Sequence, residues 1–154
     1  MSRGLVVKNL LTVTDAVVYI KEFDFNDIEP FTIILVDWND GLHTYELVWD
    51  GFVEHFKKLQ QEPKIWSSSP LYDAQMKKER RVWFDEWLAK NNKYNQNKIL
   101  EFHQNTDKGE GEITIKMKRP FVETVSITSV KKEKNFLEIQ YFDILDEHQE
   151  ILIF

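Results

Sequence analysis

The chain has 154 residues and no cysteine, and this absence removes several kinds of chemistry at once. Without cysteine, the chain cannot form a disulfide, bind a metal through thiolates or use a cysteine nucleophile of its own. Its longest apolar run, 31–36, is far too short to span a bilayer, and its N-terminus lacks the basic-then-apolar pattern of a signal peptide. We therefore expect a cytoplasmic protein in a reducing environment, with no membrane partner.

Clustered positive charge is also scarce. The chain carries 20 Lys and Arg against 26 Asp and Glu, a net charge of -6. Nucleic acids bind surfaces on which Lys and Arg are clustered, so the net negative charge argues against a nucleic-acid partner. The densest basic cluster, at 77–81, includes Arg80 and is diluted by nearby acidic residues. We interpret it as a solvated helix face.

What the chain does have is enough apolar material for a core, with 42% hydrophobic and 14% aromatic residues. The length fits one domain, 1–154, and no internal repeat interrupts it. A Gly-rich phosphate loop is missing, because the glycines of the flexible turn at 107–111 lack the required lysine and the strand-loop-helix context. We expect no cofactor.

Periodicity predicts helices and then a sheet in the first part of the chain. Apolar spacing favours a helix over 4–11, and Thr14 or Asp15 can cap a second helix that ends near Phe23. The continuous β-branched segment 31–38 is typical of a strand covered on both faces. Two hairpin signals follow, Asn39-Asp40-Gly41 and Asp50-Gly51, and they predict further strands over 42–49 and 52–59.

The second part repeats this order. Ser69 and Pro70 suit the N-cap and first position of a helix over 72–90, in which Arg80 shares the spacing of the apolar residues. A second helix is predicted over 97–104. Strands are predicted over 113–117, 122–130, 136–144 and 150–154, with a hairpin turn at 132–135. The fold class is therefore α+β, with antiparallel sheets and helices segregated along the chain.

Two serine features need a functional interpretation. Capping explains neither Ser67 nor Ser68, yet nucleophilic catalysis by either serine cannot be argued from the spacing of histidines and lysines in the sequence. Removal of the initiator methionine would expose Ser2, and an N-terminal serine is the nucleophile of one hydrolase class. Such a nucleophile needs a rigid strand, whereas the residues after Ser2 predict a helix.

Other polar residues favour ordinary explanations. The histidines have no second ligand three or four residues away, so we interpret them as surface residues and predict no metal site: His43, His55, His103 and His148. Asp37 and Asp50 lie beside tryptophans at hairpins, and they could be paired carboxylates of a pocket. Turn chemistry explains both positions as well, and we favour it. The tryptophans are expected in the core.

The succession of four segments resembles the NRDE family, which includes the transport and Golgi organisation proteins and many bacterial members. The segments are Ser2-Arg3-Gly4-Leu5-Val6-Val7, Phe31-Thr32-Ile33-Ile34-Leu35-Val36-Asp37-Trp38, Trp66-Ser67-Ser68-Ser69-Pro70-Leu71-Tyr72 and Arg80-Arg81-Val82-Trp83-Phe84. The resemblance covers essentially the whole chain. It implies an αββα sandwich of the N-terminal-nucleophile hydrolase type, distantly similar to the choloylglycine hydrolases and penicillin acylases.

The chain also departs from the family. NRDE proteins begin with Met-Cys, a candidate nucleophile, and soon carry an Asn-Arg-Asp-Glu signature, and neither is present here. We therefore expect this chain to correspond to the C-terminal two-thirds of such a protein, incomplete at its N-terminus, which would make Ser2 an internal residue. In the wider superfamily, an asparagine of the oxyanion hole often stands where Ser67 and Ser68 stand here, and an arginine lines the pocket, for which Arg119 is the nearest candidate.

The resemblance leaves two functions open. The first is an amidohydrolase-like enzyme in a full-length form, with Ser67, Ser68, Arg119 and Asp37 as candidate substrate-binding residues and no catalysis by this chain alone. The second is a non-catalytic protein that binds or carries a small or lipid-like ligand between its sheets, since eukaryotic family members are linked to acyl-CoA and haem handling. A homo-oligomer is a further expectation, because missing strands would expose sheet edges that recruit a second copy.

Overall fold

A computed structural model describes residues 2–68, 71–105, 109 and 113–154. In this part of the chain, four helices accompany two antiparallel sheets of three strands each, which confirms the α+β class. The chain divides into two compact units, Met1–Lys64 and Ile65–Phe154, and each is described by itself. No helix among the described residues has the length and apolar character needed to cross a membrane.

Two short helices open the N-terminal unit. Helix α1 covers Arg3–Leu10, and helix α2 covers Ala16–Glu22. Of the two predicted caps, Asp15 is the one observed, since its carboxylate accepts the backbone N–H groups of Val17 and Val18 at 2.9 Å. The apolar side of each helix is buried, at Val6 and Leu10 in α1 and at Ile20 in α2.

The sheet of this unit consists of β1 (Phe31–Asp37), β2 (His43–Trp49) and β3 (Glu54–Lys58), in that order. The register places Ile33 opposite Leu47 and Leu47 opposite Phe56, so these three side chains share one face. That face contributes to the core of the unit, in which Leu47 is completely buried. Gly41 and Gly51 take positive φ values of 87° and 100° in the two hairpin turns, as the turn signals predict.

The prediction that β1 is covered on both faces is wrong at two positions. Thr32 and Val36 are exposed, whereas Phe31, Ile33 and Leu35 are partly buried against the core. Side chains alternate along a strand, so only one face of β1 meets the helices of the unit. The run of β-branched residues correctly predicted a strand. The prediction that both faces of this strand are buried was wrong.

Two helices also begin the C-terminal unit. Helix α3 covers Ala74–Lys90, and its N-cap is Asp73, whose carboxylate accepts the N–H of Met76 at 2.8 Å. The predicted cap, Ser69 with Pro70, precedes this helix start and lies outside the described residues. Helix α4 covers Gln96–Gln104 and is capped by Asn95. The ring of Phe102 lies 5.7 Å from that of Phe84 and 5.4 Å from that of Trp87, and these contacts pack α4 against α3.

The segment 113–117 is not the strand that its alternating residues predicted. It forms turns and bends that bury Ile115 and Met117, and it folds back so that Thr124 donates its N–H to the carbonyl of Met117. The carbonyls of Ile113 and Thr114 accept hydrogen bonds from the Arg80 side chain. These hydrogen bonds direct both carbonyls toward a side chain instead of toward a neighbouring strand. The turn expected at 107–111 lies outside the described residues except for Gly109.

The second sheet has the order β4 (Ser126–Glu133), β5 (Phe136–Asp143) and β6 (His148–Ile153). Strand β4 begins four residues later than predicted, because an isolated bridge between Lys118 and Glu123 comes first. Lys134 has a φ of 48° in the turn to β5.

Strand β6 is an edge strand, and every one of its residues is exposed. Beyond its end, Leu137 and Phe154 exchange both backbone hydrogen bonds, at 3.1 and 2.9 Å. In an antiparallel pair, such doubly bonded residues alternate with residues whose backbone groups point away. The outward-facing backbone groups of β6 therefore belong to Gln149, Ile151 and Ile153.

Candidate functional site

Arg80 is the most unusual residue of the C-terminal unit, because it is charged and only 7% exposed. Its Nε donates to the Oγ of Ser67 at 3.1 Å, and its Nη1 donates to the carbonyls of Ile113 and Thr114 at 3.2 and 2.7 Å. The interpretation of 77–81 as a solvated helix face is therefore wrong at Arg80. One rigid guanidinium fork connects three parts of the chain that are distant in sequence.

Tyr72 lies against two guanidinium groups. The Cζ of Arg80 is 4.4 Å from the centre of its ring, and the Cζ of Arg119 is 5.5 Å from the same point. Arg119 also donates from Nη2 to the carbonyl of Leu71 at 2.8 Å. The face of an aromatic ring attracts cations, so both contacts are favourable. We call Ser67, Tyr72, Arg80 and Arg119 the Tyr72 cluster.

No carboxylate of the described residues pairs with Arg80. Among the residues that the structure describes, its partners are a serine hydroxyl, two backbone carbonyls and the ring of Tyr72. Burial lowers the pKa of Arg80, and the interaction with Tyr72 partly opposes this effect. Arginine nevertheless keeps its proton in proteins, so the interior of the unit contains a positive charge with neutral hydrogen-bond partners.

The charge of Arg80 affects the pKa of His103. Its pKa is lowered, first by burial and second by the positive charge of Arg80. Both effects disfavour the imidazolium, so the ring is neutral at pH 7. The prediction that the histidines are surface residues is correct for His55 and His148, which are exposed, whereas His43 and His103 are partly buried.

A cleft of about 270 Å³ lies between α4 and β4, and His103 is part of its lining. The apolar part of the lining consists of Ile99, Leu100, Ile127 and Val130, and the polar part of Gln96, His103, Thr128, Ser129 and Lys131. A hydrogen bond of 3.1 Å from the Gln96 amide to the Ser129 hydroxyl ties the helix to the strand. The cleft is thus a mainly apolar groove with a neutral imidazole in its wall.

Two of the residues predicted from the resemblance, Ser67 and Arg119, come together in the Tyr72 cluster. Ser68 is exposed, and its carbonyl accepts the N–H of Tyr72 at 3.1 Å. Asp37 ends β1 in the N-terminal unit, where its carboxylate accepts the N–H of Asn39 at 3.0 Å. Both residues make local turn contacts. Their role in substrate binding stays a prediction.

Asp50, the other aspartate beside a tryptophan, is also a turn residue. Its carboxylate accepts the N–H groups of Phe52 and Val53, both at 2.8 Å, and lies 3.2 Å from the His55 ring. The two backbone hydrogen bonds, together with His55, lower the pKa of Asp50. Within the described residues, no group of three or more His, Asp or Glu is placed to hold a metal ion.

Sequence reasoning missed Tyr72, Arg80 and His103 as site residues. One signal was available for Arg80, because it occupies a position of the apolar stripe of its helix, between Met76 and Phe84. A charged residue on an apolar stripe is buried only with a compensating set of partners. For Tyr72 and His103, nothing in the sequence reports the tertiary contacts that place them beside Arg80.

Comparison with protein-family models gives no match, and comparisons with curated proteins and with solved structures give no significant match.

Proposed function

We propose that this chain is a non-catalytic binding protein that holds a small, mainly apolar molecule in the cleft between α4 and β4. The observation that carries the proposal is the lining of the cleft, which combines four aliphatic residues with a neutral imidazole. Ligand pockets typically pair apolar walls with a few polar groups that orient the ligand. A volume of about 270 Å³ is at the lower end of the usual range and favours a small ligand.

The contacts of Ser67 support binding rather than catalysis. A serine nucleophile needs a neighbouring base that removes its proton. The hydroxyl of Ser67 instead accepts a hydrogen bond from Arg80, a side chain that has no acceptor and stays protonated. This contact holds the serine in place without activating it.

The test uses the whole chain with 1-octanol and octanoate as probes, titrated by isothermal calorimetry. Ile99→Trp fills the cleft from α4, where Ile99 is 40% exposed. Val82→Trp is the matched control, because Val82 is an aliphatic residue of α3 with a similar exposure of 46% and no place in the cleft lining. We expect the wild type and the control to bind at least one probe and the Ile99 variant to lose that binding. Absence of binding by both probes, or equal binding by both variants, would overturn the proposal.

We also propose that the chain belongs with the NRDE family and that its two sheets form an αββα sandwich. The order of the four sequence segments supports this, as does the presence of two antiparallel sheets with helices in each unit. An experimental structure is the direct test. Sheets that do not pack face to face would rule out the sandwich.

An amidohydrolase-like activity is the second candidate function, and the observation that favours it is the link from Ser67 through Arg80 and the Tyr72 ring to Arg119. Ser67 and Arg119 would then line a substrate pocket opposite a cysteine that this chain does not contain. A longer reading frame that begins Met-Cys, whose product hydrolyses amides, is the expected result. A native gene that starts at Met1 would exclude this candidate.

A further inference from the structure

The charge of the cleft lining differs in sign from that of the chain. The net charge is -6, yet the residues that line the cleft include Lys131 and no aspartate or glutamate. From this difference we propose that the ligand of the α4–β4 cleft is an anion, with an apolar body against the aliphatic wall and a carboxylate as its charged group. The inference rests on the proposed function and specifies its ligand class.

Lys131 can supply the first positive charge. Its ammonium group lies 3.4 Å from the Glu133 carboxylate, and the Lys131 and Glu133 side chains are 37% and 67% exposed. An ion pair this exposed contributes little, so it can open at low cost when a ligand carboxylate offers a better partner. The same ammonium lies 5.6 Å from the centre of the Phe136 ring, a contact that does not neutralise its charge.

Arg80, which is not one of the lining residues, supplies the second positive charge. Its effect reaches the cleft, since the same charge disfavours the protonated form of His103. The guanidinium is buried and has no carboxylate partner among the described residues, so solvent screens its field less than that of a surface arginine. A charge that opposes an imidazolium in the wall also favours an anion there.

His103 completes the site as a neutral group. A neutral imidazole carries one N–H, which can donate to a carboxylate oxygen without a second desolvated charge. The aliphatic residues Ile99, Leu100, Ile127 and Val130 offer a surface for the apolar body of the ligand. The site is therefore complementary to an amphiphilic monocarboxylate.

The test compares octanoate with 1-octanol, which have equal chain length and differ in the charge of the head group. We expect octanoate to bind the whole chain roughly threefold tighter or better at low ionic strength. Added salt should reduce this preference. The net negative charge of the chain acts against octanoate, so a preference for it must come from the local field.

Lys131→Gln and Lys132→Gln form the matched pair of variants. The two lysines are neighbours on β4, and Lys131 is one of the cleft-lining residues whereas Lys132 is not. We expect Lys131→Gln to weaken octanoate binding and leave 1-octanol unchanged, and Lys132→Gln to change neither. Equal affinity for the two probes would overturn the anion inference while leaving the proposed function intact. If neither probe binds, the proposed function itself fails.

Discussion

The Nε of Arg80 lies 3.1 Å from the Oγ of Ser67, and this hydrogen bond joins the segment before α3 to the middle of that helix. The Nη1 of the same side chain donates to two carbonyls of the 113–114 segment. Arg80 therefore organises the C-terminal unit around its own buried charge. Because the partners of Arg80 within the described part of the chain are neutral, the stability of this arrangement depends on the geometry of the fork.

Arg80→Lys should destabilise the chain although the charge is kept. An ammonium group has no planar fork and cannot reach a hydroxyl and two carbonyls at once, so at least one buried acceptor loses its partner. We expect a loss of about 1–3 kcal/mol in the free energy of unfolding, measured with urea. Arg81→Lys is the control, because Arg81 is the exposed neighbour on α3. Equal unfolding midpoints for the two variants would contradict this role of Arg80.

The cap of α3 gives a second stability test. Asp73→Ala removes the carboxylate that accepts the N–H of Met76, and we expect the free energy of unfolding to fall by about 1 kcal/mol. Asp73→Asn should retain most of the stability, since asparagine is also a good N-cap. If Ser69 were the cap, as the sequence suggested, Ser69→Ala would cause the loss and Asp73→Ala would not.

Local signals were sufficient for much of the fold. The hairpin at Gly41, the cap at Asp15 and the apolar periods of α3 and α4 were all predicted, because each depends on residues a few positions apart. The prediction of a strand over 113–117 was wrong because the conformation of this segment depends on a residue that is distant in sequence. Its alternating residues favour a strand locally, but the side chain of Arg80, more than 30 residues earlier, donates hydrogen bonds to two of its carbonyls.

The candidate site was predictable only in part. The resemblance pointed to Ser67 and Arg119, which the structure links through Arg80 and Tyr72, but it gave no reason to choose either linking residue. The cleft depends on how α4 lies across β4, and the sequences of these two elements do not predict that placement. The neutral state of His103 likewise depends on tertiary structure, since it follows from burial and from a charge on another helix.

The lowered pKa of His103 predicts a dependence of stability on pH. The unfolded chain binds a proton at His103 as the pH falls below about 6.5, whereas the folded chain does so only at a lower pH. The unfolded state therefore binds more protons in this window, and the free energy of unfolding decreases on acidification. At pH 7 and above, this contribution is absent.

His103→Gln should remove that part of the pH dependence. We expect the variant to lose less stability than the wild type between pH 7 and pH 5, in urea unfolding curves recorded at several pH values. His148→Gln is the control, since it removes an exposed histidine of β6 by the same substitution and leaves His103 in place. Parallel curves for His103→Gln and the wild type would contradict the lowered pKa.

The open edge of β6 bears on self-association, which the sequence predicts. Ile151 and Ile153 have outward backbone groups and side chains that are 50% and 65% exposed, and such an edge can pair with a second copy. Ile151→Lys places a charge on this edge and should reduce association measured by light scattering over a range of concentrations. Val82→Lys also replaces an exposed apolar residue, but on α3, and should leave association unchanged. A wild type that stays monomeric at every concentration would contradict the prediction.

The backbone pair formed by Leu137 and Phe154 has a kinetic consequence for the same strand. Because Phe154 faces β5, the amides of Leu152 and Glu150 also face β5, while those of Ile153, Ile151 and Gln149 face outward. Hydrogen–deuterium exchange in the monomer should therefore alternate along β6, with slow and fast amides in a period of two residues. If a second copy pairs with this edge, the fast set becomes slow while the slow set stays slow. The exchange pattern of these six amides thus reports, residue by residue, whether the edge is open or paired.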